Sequence, residues 1–393
     1  MALTLALDIG GTKIAWGLID DDAPRTVIAH GRVPSQPAGG NTADQLEVAV
    51  AEALAAPALS SPELAADNVA SARTSSSTSE NTIARVGVAA AGVIDPITAT
   101  VTRAGATMPG WEGTDIAARI ARHIDAPVFA HNDVRVWAFG EHTLCWRDEY
   151  PHDRLLYISL GTGVGGAFVF NDDLAAGNRG TAGEISELYC PHYGSGVARC
   201  EDVASGPGLV ATYHEAISER DGQSGSGRDV NPASPSTVTD LLELERQGNS
   251  LATEVLDQNL HGFGQMLGTL AMGLDLDAII LGGGVSGLGE AITRRIRDGV
   301  RSHLAYSVRP CDIRDSALRE GPLSPPPFTL GRGISARNHP PHTPNEQRRS
   351  PCPSHFPPPP PLDSARSCAR PSRATSSCPP KPPTATHSAT LTR

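Results

Sequence analysis

Three glycine-rich segments of this 393-residue chain place backbone amides at the ends of apolar runs. In "DIGGTK", Asp8 ends such a run, Gly10 and Gly11 bare their amides, Thr12 adds a hydroxyl and Lys13 a cation. Successive amides in a tight turn form an anion cradle, and Asp8 is the residue type that holds a hydrated Mg²⁺ beside one. A plain β-hairpin with a glycine turn accounts for the same residues. "SLGTGVGG", residues 159–166, repeats the pattern, with Thr162 between Gly161 and Gly163. The dinucleotide-binding fingerprint opens a helix, whereas "GGAFVF" reads as a strand, which argues against that fold here. "LGGGVSGLG", residues 281–289, does open a helix, and Gly282, Gly283 and Gly284 would let a base or ribose approach closely. A fourth segment, "GEISELYCPHYGSGVARCEDVASG", gathers Cys190, His192, Cys200 and four acids, the donor types of a metal or polar-ligand site.

The elements that must carry these loops follow from apolar period. "LTLALDIGGTKIAWGLID" reads as two strands joined at the "GGT" turn, and "RLLYISLGTGVGGAFVF" as a second hairpin of the same pattern. "ARVGVAAAGVIDP" is a strand entering a turn, "TDIAARIARHI" has helical spacing, and "APVFAHNDVRVWAFGEH" is a short strand running into a helix. "LDAIILGGGVSGLGEAITRRI" is a buried strand, a glycine loop and a helix. Strands alternating with helices indicate an α/β architecture with its chemistry at strand ends. Residues 56–82 and 219–236 lack an apolar period and read as surface insertions.

Length favours two domains. From Pro322 onward lie 19 of the 33 prolines, nine Lys or Arg and two acids, Glu346 and Asp363, so this tail carries about +7 and residues 1–321 about −18. The tail reads as disordered, either a Pro-rich arm that binds partners or the product of a shifted reading frame. Cys145, Cys190, Cys200 and Cys311 are scattered without a disulfide rhythm, which fits a reducing cytoplasm. "MALTLALDIGG" lacks the basic start of a signal peptide, and no apolar run reaches the length of a membrane span. The acidic body gives no electrostatic footprint for nucleic acid.

The ordered motifs "DIGGTK", "GVAAAGVIDP", "HND", "GTGVGG", "GEIS", "ASG" and "LGGGVS" resemble the ROK family of bacterial sugar kinases and related repressors, over residues 3 to about 305. The resemblance implies a two-lobed actin-like ATPase (ribonuclease H-like) fold, with lobes over 1–125 and 126–318 and the Pro-rich tail over 319–393. It further implies ATP and Mg²⁺ as cofactors, a hexose or N-acetylhexosamine as substrate, and a homodimer. Phosphate contacts fall on Gly10, Gly11, Thr12, Lys13, Gly161, Thr162 and Gly163, with Asp8 beside them, and the adenosine packs on Gly282, Gly283 and Gly284. Asp133 matches the family's catalytic base and Asn132 a sugar ligand; a carboxylate suits the task of accepting a hydroxyl proton during phosphoryl transfer. Asp133 also has the residue type of a helix N-cap.

The fourth segment departs from the family pattern. Glu184 matches a sugar-binding Glu, Glu187 stands where a His is usual, and Glu201, with Asp202 competing, takes the place of the second sugar-binding Glu. The family's structural zinc is held by a His and three Cys; here only Cys200 falls in place, and the remaining set of Cys190, His192, Cys200 and Glu187 does not reproduce that spacing. No metal ligand is therefore assigned. Trp111 matches a segment beside the sugar and equally suits core packing. The family's repressors carry a helix-turn-helix segment ahead of the body, for which the seven residues before Asp8 leave no room. The expected function is ATP-dependent sugar phosphorylation; a non-catalytic sugar-binding protein or an inactive truncated kinase is the alternative.

Overall fold

In the computed structural model, residues 1–38, 40–60, 81–105, 108–175, 177, 180–224, 234–303 and 311–317 are described. The expected tail over 319–393, residues 61–80 of the first insertion and 225–233 of the second lie outside them. Strand β1 (Ala2–Ile9) buries Leu3, Leu5, Leu7 and Ile9 on one face, as an alternating pattern requires. Strands β2 (Lys13–Asp20) and β3 (Val27–Pro34) follow as an antiparallel meander. Helix α1 (Thr42–Leu54) starts where the Asn41 side chain accepts the Asp44 N–H, and it lays Leu46, Ala49, Val50 and Ala53 on that face. The single turn α2 (Pro57–Ser60) comes next. Strand β4 (Thr82–Ala90) runs parallel to β1; β5 (Val93–Asp95) and β6 (Thr100–Arg103) form a separate hairpin. Helix α3 (Ile116–Ile120) is shorter than its spacing suggests, because the bonds from His123 N–H to Ile120 O and from Arg122 N–H to Arg119 O tighten its end into i to i+3 turns.

Strand β7 (Val128–Asn132) pairs with β4, so the first sheet has the order β3-β2-β1-β4-β7. "VFAHN" is thus an edge of the first sheet and runs straight into helix α4 (Asp133–Glu141) with no linker composition to mark the crossing.

The second half repeats the arrangement. After a π-helical turn over His142–Trp146, β8 (Arg154–Leu160), β9 (Val164–Phe170) and β10 (Asp173–Leu174) form another antiparallel meander. A small hairpin of β11 (Tyr189–Pro191) and β12 (Val197–Arg199) leads into helices α5 (Cys200–Ala204), α6 (Gly206–Ser224), α7 (Val238–Arg246) and α8 (Ser250–Leu274). Strand β13 (Ala278–Gly282) is parallel to β8, and after helix α9 (Glu290–His303) strand β14 (Asp312–Asp315) is parallel to β13. The order β10-β9-β8-β13-β14 is that of the first sheet shifted along the chain. Helices α8 and α9 cross at glycines: a Cβ on Gly264 would overlap the Ile296 carbonyl, and one on Gly299 the His261 carbonyl.

Helix α4 touches both sheets. By register, Ala6 lies between Gly17 and Gly87, and Asp8 between Ala15 and Ala89, so this face of the first sheet carries small side chains beside Asp8. Val136 and Trp137 pack on Ala89 there. On the second sheet, Val134 lies over Gly165 and Trp137 over Gly282. A Cβ on Gly165 would come within 2.5 Å of a Val134 methyl, and a β-branched side chain has little freedom to yield. Gly165→Ala is therefore expected to lower stability by about 1–3 kcal/mol through overpacking. Urea denaturation of the variant would check this, and an unchanged midpoint would contradict the packing.

Candidate active site

The two hairpin turns are pinned from below. Gly10 N–H donates to Lys13 O at 3.0 Å, while Ser35, at the end of β3, donates its N–H to Thr12 O (3.1 Å) and its hydroxyl to Gly10 O (2.5 Å). Thr12 and Lys13 are exposed at the tip. In the second turn Gly161 N–H donates to Gly163 O (2.9 Å), and Gly206 N–H to Gly161 O (2.8 Å). Thr162 is exposed at that tip. The third loop leaves β13 alongside: Gly283 has φ +86° and sits against the Leu160 backbone, closer than a Cβ would permit, and Val285 N–H donates to Leu160 O at 2.8 Å. Gly283 and Gly284 are thereby exposed beside the second turn, whereas Gly282 is buried under Trp137.

Asp133 occupies the first turn of α4, near Asp8 of β1, and the next residue, Val134, lies over Gly165 of β9. Asn132 caps the helix: its Oδ1 accepts from Val134 N–H (3.1 Å) and Arg135 N–H (3.3 Å), and its Nδ2 donates to Gly92 O (3.1 Å) and to Asp133 Oδ1 (2.9 Å). The Asn132 oxygen thus caps α4, while its amide nitrogen ties Asp133 Oδ1 to the Gly92 carbonyl. Asp133 Oδ1 also accepts Val134 N–H at 2.9 Å. Burial raises the Asp133 pKa and Glu184 adds repulsion; these outweigh the hydrogen bonds, which act to lower it. Burial likewise lifts Asp8 to about 6, with Asp133 raising it further and Lys13 opposing. Two carboxylates that repel across a cleft, with a cation beside them, suit a divalent ion and a phosphate chain.

Glu184 stands beside this pair because Gly183 packs on Gly166 with no room for a side chain between them. Arg135 Nη2 donates to Glu184 Oε1 (3.1 Å) and to Ala182 O (2.9 Å). Glu201 lies beneath the second turn, its Oε2 accepting Val164 N–H at 2.7 Å and its carboxylate lying close under Gly163. Glu187 is exposed and shares Arg199 with Asp202. The structure thus gathers Asp8, Asp133 and Glu184, puts Glu201 against the second turn, and leaves Glu187 with Arg199. Cys190 and Cys200 meet in the core, but His192 Nε2 contacts Thr212 Oγ1, so the four candidate zinc donors are not gathered. No cluster of three or more His, Cys, Asp or Glu able to hold a metal occurs among the described residues. Trp111 is fully buried in the first core, its Nε1 donating to Ala91 O. Arg135 and His131, whose Nδ1 accepts Asn132 N–H at 2.9 Å, are site residues that the motifs did not flag. An Arg among the apolar positions of "VRVWAF" was the available signal.

The sequence signature described as "ROK family" matches residues 4–320. The chain belongs to the ROK family. Among its relatives, an N-acetylmannosamine kinase of Yersinia pestis (strain Pestoides F) is 29% identical over 301 residues, 75% of this chain and 87% of that one. A glucokinase of Halalkalibacterium halodurans is 28% identical over 219 residues, 54% of this chain and 64% of that enzyme's length. The crystal structure of a ROK family glucokinase from Streptomyces griseus, in complex with glucose and AMPPNP, superposes with a TM-score of 0.58 at 26% identity, covering 84% of this chain and 98% of that one. The ROK match and the twin sheets establish the two-lobed actin-like ATPase fold.

For this ROK chain, the raised pKa of Asp8 makes a stability claim. A carboxyl whose pKa in the fold exceeds its unfolded value stabilises the fold when protonated. That contribution is complete below the unfolded value near 3.8 and is lost as pH rises through about 6. Asp8→Asn is therefore expected to be more stable than the wild type at pH 8, by on the order of 2 kcal/mol, with the gap closing towards pH 4. Denaturation of ligand-free protein across that range measures it; a gap independent of pH would refute it.

Proposed function

We propose that this ROK-family chain is an ATP-dependent sugar kinase that transfers the γ-phosphoryl group to a hydroxyl of a hexose or N-acetylhexosamine, with Asp133 as general base. The observation that carries the reading is the placement of Asp133. Its carboxylate sits at the N-terminus of α4, near Asp8 and Glu184, with Oδ1 fixed by Asn132 and Val134. Oδ2 makes none of these bonds and is the oxygen available to a substrate hydroxyl. A base whose pKa is raised accepts a proton more readily, provided it stays ionised at the working pH.

The turns of Gly10, Gly11, Thr12 and Lys13 and of Gly161, Thr162 and Gly163 are assigned to the phosphates, apart from the Gly10 and Gly161 amides bonded within them, and the exposed Gly283 and Gly284, above the buried Gly282, to the adenosine. Asp8 is the residue that would hold Mg²⁺, whose chemistry is to neutralise the charge that builds on the transferring group. Glu184 is assigned to the sugar. Glu201, bonded to the amide of Val164, is assigned to shaping the second turn, with any sugar contact made through its other oxygen. Glu187 is assigned to the rim of the site with Arg199, in place of the direct sugar contact its position in the motif suggests. The family resemblance further supports a homodimer acting in the cytoplasm. No helix among the described residues is long and apolar enough to cross a membrane.

A coupled ADP-release assay with ATP, Mg²⁺ and a panel of glucose, mannose, fructose, N-acetylglucosamine and N-acetylmannosamine tests the reading. Turnover is expected on at least one sugar, with Asp133→Asn lowering kcat by about 10²- to 10⁴-fold while the variant stays folded. Because the base must be ionised, wild-type kcat is expected to fall on the acid side at a pH above the ordinary aspartate range. Sugar binding without ADP release on any sugar would turn the reading to a non-catalytic binding protein.

A further inference from the structure

Arg135 is a basic side chain that α4 buries two residues beyond Asp133. Its side chain is 1% exposed, yet both of its hydrogen bonds come from Nη2, to Ala182 O and Glu184 Oε1, and Nη1 is buried with no partner among the described residues. A guanidinium carries five N–H donors, and sealing it from water with most of them unused is costly. A Leu or Met at this position would fill the same space without that cost. Charge placed against packing economy in this way marks a site where position matters more than stability.

What the charge holds is Glu184. That carboxylate has 39% of its side chain exposed and projects from the segment Ala182–Glu184, which Arg135 grips at two points: the carbonyl before Gly183 and the carboxylate after it. Gly183 itself has φ +93° and packs on Gly166, so the backbone of this segment is set by the sheet, and the Glu184 side chain is left to be set by Arg135. Arg135 lies two residues after Asp133 on the same helix.

We propose that Arg135 is a positioning residue for sugar recognition. It fixes the Glu184 carboxylate relative to Asp133 by occupying Oε1, and so leaves Oε2 as a single directed acceptor for a substrate hydroxyl. This rests on the sugar-kinase reading above. A carboxylate with one oxygen committed selects a hydroxyl donor in one direction; released, it would swing and pair with water. The arrangement also ties the sugar contact and the base to one rigid helix, which is how a site keeps two groups in register.

The test is a double-mutant cycle read as KM for the sugar, KM for ATP and kcat, on the best substrate from the panel. Arg135→Met is expected to raise the sugar KM about 10-fold or more, and Arg135→Lys, which keeps the charge but not the fork, about 3-fold, with the ATP KM within about 2-fold of wild type in both. In a Glu184→Gln background neither change should move the sugar KM by more than about 2-fold, since the carboxylate being positioned is gone. A loss of equal size in both backgrounds, or a parallel rise in the ATP KM, would show Arg135 to be structural and overturn the proposal; so would an unchanged sugar KM in Arg135→Met. If Arg135→Met does not fold, the Arg135→Lys arm in the two backgrounds decides on the same criterion. Absence of turnover in the wild type would instead count against the kinase reading, and the cycle is then read by calorimetric titration with the same sugars, in which the coupling between Arg135 and Glu184 must still appear in sugar affinity.

Discussion

The site depends on how closely α4 can lie against both sheets. Asp133 reaches its place near Asp8 and Glu184 only because Val134 finds no side chain on Gly165, Trp137 none on Gly282, and Val136 only the methyl of Ala89. The two sheets have the same strand order, each beginning with a hairpin closed by a glycine turn. The helix that joins them carries Asp133, the residue proposed above as the base. A larger residue at any of these contacts would push the first turn of α4 outward and carry the carboxylate with it, since packed interiors do not deform locally without cost.

Charge then decides what such a cleft can do. Asp8, Asp133 and Glu184 repel one another, and burial raises the pKa of the first two. Left alone, these acids would take up protons or draw apart. The structure opposes this with fixed partners for the two outer groups: Lys13 beside Asp8 and Arg135 on Glu184. Asp133 receives no cation of its own, only neutral hydrogen bonds. Burial holds its pKa above the ordinary aspartate value, which under the proposed reading favours taking a proton from a hydroxyl.

Much of the fold was legible in the sequence, for stated reasons. Both hairpins showed as apolar runs broken at glycine turns, and "APVFAHND" into "VRVWAFGEH" showed β7 and α4. The helical cover of the second sheet was harder to see. Helix α8 contains Gly262, Gly264, Gly268 and Gly273, residues that signal turns in isolation. In the fold, Gly262 and Gly264 permit contact with the backbones of Pro191 and Ile296, a tertiary reason that no local window contains. The same limit applies to the site. Gly10 to Lys13 and the second turn were marked by type and spacing and Asp133 by the family resemblance, whereas the partners that orient Asp133 and Glu184 could be found only by bringing distant segments together. Asn132 illustrates the difference: the resemblance implied a sugar ligand, and the fold adds four side-chain hydrogen bonds by which it caps α4 and supports Asp133.

The fourth segment shows how such a loop is held by this chain's own residues. Its cysteines suggested metal, but Cys190 and Cys200 pack in the second core, and a buried Asn259 of α8 fixes what lies around them. Asn259 Oδ1 accepts Tyr193 N–H (2.8 Å), while its Nδ2 donates to Val203 O (3.1 Å) and to Thr212 Oγ1 (3.2 Å), the hydroxyl that also meets His192. One side chain thereby joins the β11–β12 turn, α5 and α6, and both of its amide hydrogens are used. A satisfied buried amide of this kind rigidifies without net charge, and an unsatisfied one would be expensive. Because α5 begins at Cys200 and carries Glu201 under the second glycine turn, the order that Asn259 imposes on the loop is passed on to the turn assigned to the phosphates. The loop therefore bears on the second glycine turn through backbone position, and Glu201 is the point at which it arrives.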